Sequence, residues 1–332
     1  MRESATESGI QAVGVAPPID EARDIYGWAG SVVVAAISYL PADHDVQDDR
    51  PRGRVARFAR STDYHLVLRD KLSGLAGFLK SQGARTQVCV DTCPLPERKL
   101  AVLGGIASRG KSGNVFVEGC GSYAALGEIV TDLKLPAPTP IETDPCGECD
   151  RCIRACPSGA IIAPFTVDAD RCLSNLTQTG GIIPREFREA MGNRIYGCDV
   201  CQEVCPHNDD LKPISLEFAQ AVFPGASPEL VPLIKLTAPD YRARVKGSSI
   251  GWIRRTRIRR NAAIAAGNRR AKTAVPALVE MLRDEDPVLR GAAAWALGKI
   301  GSDAARRALE SAANKERDKG VAEEIRAALS RG

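Results

Sequence analysis

The sequence predicts an α/β domain, then a small cysteine-rich module, then a C-terminal stack of α-helices. Three observations carry that reading. Short β-branched runs alternate with helical patterns as far as Leu135. Eight cysteines crowd between Pro145 and Pro206. Beyond Asn208 there is no cysteine, and the chain repeats itself with a period of 31 residues.

In the first region, residues 1–135, the run SVVVAAISYL (Ser31 to Leu40) is continuous, apolar and of strand length. Tyr64 to Leu79 has helical spacing, and TQVCVDT and NVFVEG read as further strands. Strands alternating with helices indicate a largely parallel sheet. LPAPTP (Leu135 to Pro140) has the composition of a linker. Residues 136–212 then form the cysteine module and residues 213–332 the helical region. In the latter, Arg259, Ala262, Ala263, Ala265 and Gly267 recur as Arg290, Ala293, Ala294, Ala296 and Gly298. Small residues on one helical face, followed by a second amphipathic helix, are what HEAT-like stacking needs. A plain alanine-rich bundle is the alternative.

Composition narrows the class. With 44% hydrophobic and 26% charged residues the chain is an ordinary globular protein, and a net charge of +4 says little about partners. Met1 to Gly9 is polar with both charge signs, unlike an export signal, and Ser31 to Leu40 is too short to span a bilayer. The expectation is a cytoplasmic monomer with no membrane contact. Thiols stay reduced there, so eleven cysteines point to metal rather than disulfides.

The run Cys146, Cys149, Cys152, Cys156, Pro157 has the C-x2-C-x2-C-x3-C-P spacing of a [4Fe–4S] site. A second run, Cys198, Cys201, Cys205, Pro206, lacks only the first member, where Ile195 stands. In two-cluster ferredoxins the last cysteine of each run serves the other cluster. Cluster one therefore takes Cys146, Cys149, Cys152 and Cys205. Cluster two takes Cys156, Cys198 and Cys201, and Cys172 fills its vacancy. Paired C-x2-C motifs also build zinc ribbons, but two runs ending in Cys-Pro are less typical of zinc. Two coupled clusters imply one-electron transfer to something else in the protein.

With both runs in view the chain resembles the epoxyqueuosine reductases, cobalamin-dependent iron–sulfur enzymes of queuosine synthesis in tRNA. The matching residues are DYH (Asp63 to His65), VDT (Val90 to Thr92), GSY (Gly121 to Tyr123), CGECDRCIRACPSGAI, RCLSNLTQT and GNRIYGCDVCQEVCPHN. The similarity runs from about Val32 to the helical end. Three departures stand out: a short N-terminus, Cys93 where the family commonly has glycine, and Gly110-Lys111-Ser112 in place of a Gly-Lys-Asn-like motif.

The resemblance implies that the first domain binds cobalamin, and that the clusters feed it electrons from a flavodoxin or ferredoxin system. The tRNA is the substrate, and its cyclopentane epoxide becomes an alkene and water. It also implies that Arg57, Asp91, Arg98, Val115, Ser122, Leu126, Ser174 and Asp199 lie near the corrin. His44, His65 and His207 form no corrinoid-ligating motif, so no protein imidazole is expected on cobalt. Asp91 is the candidate acid for the departing oxygen, which would require burial to raise its pKa from about 3.9. Otherwise it is a turn cap. Tyr64 and His65 support the pocket, and Cys89, Cys93 and Cys120 are inert thiols.

From Tyr241 to Asn261 the chain carries eight Lys or Arg and no acid. Lys246, Arg254, Arg255, Arg259 and Arg260 are candidates for RNA phosphates, with Trp252 able to stack on a base. Two rivals remain. A reductive dehalogenase would share the cofactors but is expected to be exported, and an electron carrier would need no α/β domain of this size.

Overall fold

The computed structural model describes residues 5, 7–42, 46, 48–138, 144–218, 222–246 and 248–330. His44 and the end of the LPAPTP linker lie outside them. The first domain is built on strands β1 (Ala12–Ala16), β2 (Ser31–Ser38), β4 (Thr86–Cys89) and β7 (Ala124–Thr131), in the order β1-β2-β7-β4. Every neighbouring pair is antiparallel. This corrects the expected parallel sheet. Helix α1 (Asp20–Ile25) joins β1 to β2, and β7 returns between β2 and β4 after a long excursion.

The physical reason for the misreading is burial on both faces. Helix α2 (Tyr64–Ser81) sends Leu68, Leu72 and Leu75 into one face, against Val33, Ala35 and Ile37. Helix α3 (Glu97–Leu103) sends Leu100 and Ala101 into the other, against Val32, Val34 and Ala36. All eight residues of β2 are buried, so it shows none of the polar alternation that marks an antiparallel sheet open to water.

Two short ribbons complete the region. β5 (Ala107–Arg109) pairs antiparallel with β6 (Val115–Val117). The two-residue β3 (Arg54–Val55) runs parallel to β10 (Arg194–Tyr196), which belongs to the cysteine module. That module also holds α4 (Arg151–Ala155), the hairpin β8 (Ile161–Ala163) to β9 (Thr166–Val167), α5 (Leu173–Gln178) and α6 (Val200–Glu203).

The helical region contains α7 (Leu230–Ile234), α8 (Arg255–Asn268), α9 (Val275–Met281), α10 (Pro287–Ile300), α11 (Asp303–Ala313) and α12 (Lys319–Leu329). It does not pack as a separate body. One continuous core joins Val55 and Ala59 to Leu173, Ile183 and Ile195, and onward to Leu230, Ile258 and Trp295. Helix α8 locks the joint with polar side chains. Asn261 donates to the carbonyls of Thr177 and Ile195, and Asn268 to those of Arg188 and Gly192. Among the described residues no helix is long and apolar enough to cross a membrane.

The repeat has a direct packing cause. Helix α8 lies on α10, and α10 on α12. A Cβ on Gly267 would sit 2.8 Å from the Cα of Ala296, and one on Gly298 would sit 2.8 Å from the Cα of Ala328. Both repeat-related glycines let neighbouring helix backbones touch. Gly267→Val should therefore destabilise the protein by about 1–3 kcal/mol through overpacking. Gly291→Ala, at a helical position with open space, should be neutral or slightly stabilising. Urea unfolding of the two variants beside wild type checks this.

Candidate active site

Asp91 lies two residues beyond the end of β4, in the left-handed backbone region with φ 53°. Such a conformation costs a non-glycine residue about 1–3 kcal/mol and persists only when neighbours hold it. Three do. Tyr64 Oη donates to Asp91 Oδ2 at 2.9 Å, His65 Nε2 lies 3.0 Å from the same oxygen, and Glu97 Oε1 accepts the Asp91 backbone N–H. Tyr64 and His65 open α2, whose first turn is capped by Asp63 through the His65 N–H. Asp63 Oδ1 also lies 2.7 Å from His65 Nδ1, so the imidazole bridges two carboxylates.

These partners decide protonation. Hydrogen bonds from His65 to the Asp63 and Asp91 carboxylates push the imidazole up to about 9. His65 in turn holds the Asp91 carboxyl below its ordinary value, against the opposing effect of burial. The expected raised pKa of Asp91 is thus corrected: its side chain is 55% exposed to the cleft and paired with a cation. At neutral pH the proton of this group sits on His65.

Asp91 faces a composite cleft between the sheet and the cysteine module. A cavity of about 730 Å³ is lined by Asp91, Glu97, Arg98 and Val115. A neighbouring one of about 260 Å³ shares those four and adds Tyr39, Ser122 and Leu126. A third, of about 490 Å³, shares Arg98, Tyr39 and Asn114 and adds Ser174 and Asp199. The structure thus gathers Asp91, Arg98, Val115, Ser122, Leu126, Ser174 and Asp199 around one space. Arg57 stands behind it. Its backbone N–H reaches Asp199 at 2.7 Å and its guanidinium reaches Glu203 at 2.6 Å.

The third cavity is also where four thiols converge: Cys156, Cys172, Cys198 and Cys201 line it together. The other four form a second set, in which Cys205 feels the charge of Cys146, Cys152 and Cys149. Amide donors point at several sulfurs. Ala160 N–H reaches Cys156 Sγ at 3.2 Å, Lys111 N–H reaches Cys146 Sγ at 3.4 Å, and the Asn114 amide reaches Cys201 Sγ at 3.7 Å. Lys111 additionally donates its Nζ to the Gly147 carbonyl, so the Gly110-Lys111-Ser112 loop braces the first cysteine run. Eight free thiols in two sets of four suit two multi-iron cubes, each of which needs four thiolates.

The basic stretch divides. Lys246 and Arg254 are exposed. Arg255 is half-buried and donates to the Leu236 carbonyl. Arg259 donates to the Ile234 carbonyl and pairs with Asp284 at 2.7 Å. Arg260 is 1% exposed and bonds to Asn261 Oδ1 and to the carbonyls of Thr179, Gly181 and Leu176. Arg259 and Arg260 are therefore corrected from phosphate contacts to structural cations: the acid and carbonyls that satisfy them lie far away in sequence. Trp252 keeps 61% exposure while its Nε1 donates to Tyr196.

Sequence reasoning also missed Tyr39, Glu97, Asn114, Glu128 and Gln202. Only Glu128 left a signal, as the lone charge inside the apolar strand AALGEIVT.

Comparison with known proteins follows this geometry. A family model described as "Epoxyqueuosine reductase QueG, DUF1730" matches residues 21–92. A 4Fe-4S double cluster binding domain matches residues 145–208, and HEAT repeats match residues 254–330. The epoxyqueuosine reductase of Bacillus subtilis is 40% identical over 305 residues, covering 90% of this chain and 78% of that protein. That of Bacillus anthracis is 39% identical over 286 residues, covering 84% and 74%. A crystal structure of an epoxyqueuosine reductase with an epoxyqueuosine-modified tRNA-Tyr stem loop superposes with a TM-score of 0.93. Its identity is 34%, over 99% of this chain and 97% of that one.

The carboxylate–imidazole–carboxylate bridge makes a pH prediction. A histidine whose pKa is raised from 6.5 to about 9 adds stability that is complete below pH 6.5 and lost as pH rises through about 9. Nuclear magnetic resonance should find the His65 imidazole protonated until about pH 9, and Asp63→Asn should lower that midpoint. An ordinary midpoint in wild type would show that the bridge does not hold the proton.

Proposed function

The chain belongs to the epoxyqueuosine reductase family, and on that premise we propose that it reduces epoxyqueuosine to queuosine at the wobble position of a tRNA anticodon. The observation that carries this reading is that Asp91, paired with the proton-bearing His65, lines a cavity that adjoins, through Tyr39, Arg98 and Asn114, the one lined by four thiols. Proton supply and electron supply converge on one space large enough for a cofactor and a nucleoside.

Two [4Fe–4S] clusters are the electron store of this reading, one held by Cys146, Cys149, Cys152 and Cys205, the other by Cys156, Cys172, Cys198 and Cys201. The grouping of the thiols in space supports the crossover that the spacing requires. A low-potential one-electron donor, such as a flavodoxin or ferredoxin, would refill them. Cobalamin fits the composite cleft: cavities joined through Arg98 and Asn114 suit a broad, flat ring better than a compact ligand. When bound it would supply the strong reductant that epoxide opening needs. Arg98, Val115, Ser122, Leu126, Ser174 and Asp199 would hold it. His65 has both ring nitrogens engaged by carboxylates, which supports a cofactor without an imidazole ligand from that residue.

The chain's own residues handle the protons. Asp91 faces the substrate space and His65 carries the proton, so the acid is the pair. As negative charge builds on the epoxide oxygen, a proton passes from His65 Nε2 through Asp91 Oδ2 to that oxygen. Tyr64 and Glu97 keep Asp91 in its strained position, where it can do this without reorganising. Lys246 and Arg254, with Arg255 at their edge, are left to meet the RNA backbone. They position it without reading sequence.

Asp91→Asn should retain both clusters and the cofactor yet lose turnover of epoxyqueuosine-containing tRNA by roughly 10²–10⁴-fold. Near-normal turnover would return Asp91 to a turn-capping role. Neutralising Lys246 and Arg254 together should weaken tRNA binding and flatten its salt dependence by about 0.7–0.9 of a slope unit per lost contact. The rate at saturating tRNA should hold, because such contacts act equally in ground and transition states. An unchanged salt slope would mean that RNA enters elsewhere.

A further inference from the structure

Reduction of the epoxide breaks two C–O bonds, forms one C=C bond and releases the oxygen as water. The oxygen therefore leaves with two electrons and two protons. The His65–Asp91 pair holds one of those protons. A second pair of groups lies directly behind it.

Glu97 opens α3 and lines both cavities that Asp91 lines. One of its oxygens is committed to the Asp91 N–H. Behind it, Glu128 sits in β7 opposite Cys89 of β4, on the face that carries Leu126 and Val130 and packs under α3. Glu128 is fully buried, and neither of its carboxylate oxygens has a hydrogen-bond partner among the described residues. A carboxylate in that position would be an uncompensated buried charge, which proteins avoid by keeping the proton.

We propose that Glu97 and Glu128 are the proton reserve of the cleft: Glu97 delivers the second proton to the departing oxygen, and Glu128 restores it. This rests on the reductase reading above. Glu97 gives up its O–H proton and becomes a carboxylate, the Glu128 proton reaches it through water admitted to the cleft, and a proton from bulk solvent restores Glu128 after product leaves. No electron moves in these steps. Glu97 touches the substrate space and acts as an acid, while Glu128 acts through it.

The electrostatic setting agrees with the geometry. Glu97 faces Asp91, His65 and Arg98, and burial pushes its carboxyl up to about 7. Glu128 faces Glu97, Cys93 and Asp91, and burial holds its carboxyl well above the ordinary range. Cys89, beside it in the sheet, is occupied by the Tyr26 hydroxyl at 3.4 Å.

The test uses the holoenzyme with Glu128→Gln, Glu97→Gln and Glu97→Asp, each checked by circular dichroism and iron content. Infrared spectra without substrate should show protonated carboxyl absorption at neutral pH, and Glu128→Gln should remove one component of it while that of Glu97 remains. In turnover, Glu97→Gln should lower kcat by roughly 10²-fold with KM for tRNA unchanged. It should also abolish the alkaline fall in rate that begins near pH 7, and Glu97→Asp should restore part of both. A carboxyl absorption unchanged in Glu128→Gln overturns the proposal, as does a Glu97→Gln enzyme with the wild-type rate and pH profile. Wild-type protein that binds the tRNA but never reduces it would reject the reaction itself, and the reserve with it. The infrared result is read without substrate, so the two failures are distinguishable.

Discussion

Gln202 is wedged, buried, between the sheet and the cysteine module, and its amide donates to Tyr39 Oη at 2.9 Å and to the Ser122 carbonyl at 2.8 Å. Asn208 bonds the Ser122 hydroxyl from the same module, and Arg57 ties the chain after β3 to Asp199 and Glu203. Tyr39, Ser122, Asp199 and Gln202 are buried, so losing one partner among them would leave another unsatisfied at a cost of about 1–3 kcal/mol. The joint is therefore specific as well as adhesive. It fixes Cys198 and Cys201, which flank Asp199 and Gln202, beside the cleft that holds Asp91. If the module slid, the cavity lined by the thiols would no longer adjoin those lined by Asp91.

The same economy governs Asp91. Its left-handed backbone is a strained state, and the groups that hold it are the groups that set its chemistry. Tyr64 and His65 fix the carboxylate and supply its proton, while Glu97 fixes the backbone and faces the same space. Geometry and protonation are thus set by one network. The helical region contributes from a distance. Through Asn261 and Asn268, α8 grips the backbone of the cysteine module.

What could be read from the sequence follows the range of each signal. Cysteine spacing is local, so the two cluster runs were legible, and a 4Fe-4S double cluster binding domain matches residues 145–208. The repeat was legible because Gly267 and Gly298 mark backbone contact at a constant interval. Strand direction was not, because β2 is buried on both faces and carries no alternation. Arg260 was misread because its carbonyl partners lie 79 to 84 residues away, and in sequence it looks like any surface arginine. Asp91 stands two residues past β4, and its protonation was not legible. That depends on an imidazole 26 residues earlier, which only the fold brings to 3.0 Å.

The central claim is that two clusters, built by exchange of cysteines between the runs, feed one cleft. Anaerobic reconstitution followed by iron, sulfide and corrinoid analysis, with electron paramagnetic resonance of the reduced protein, tests it most directly. The account predicts about eight irons and eight sulfides, together with a bound corrinoid. Cys205→Ser should remove the cluster of the first run while leaving that of its own run intact. Zinc in place of iron, or loss of the second run's cluster in Cys205→Ser, would contradict it.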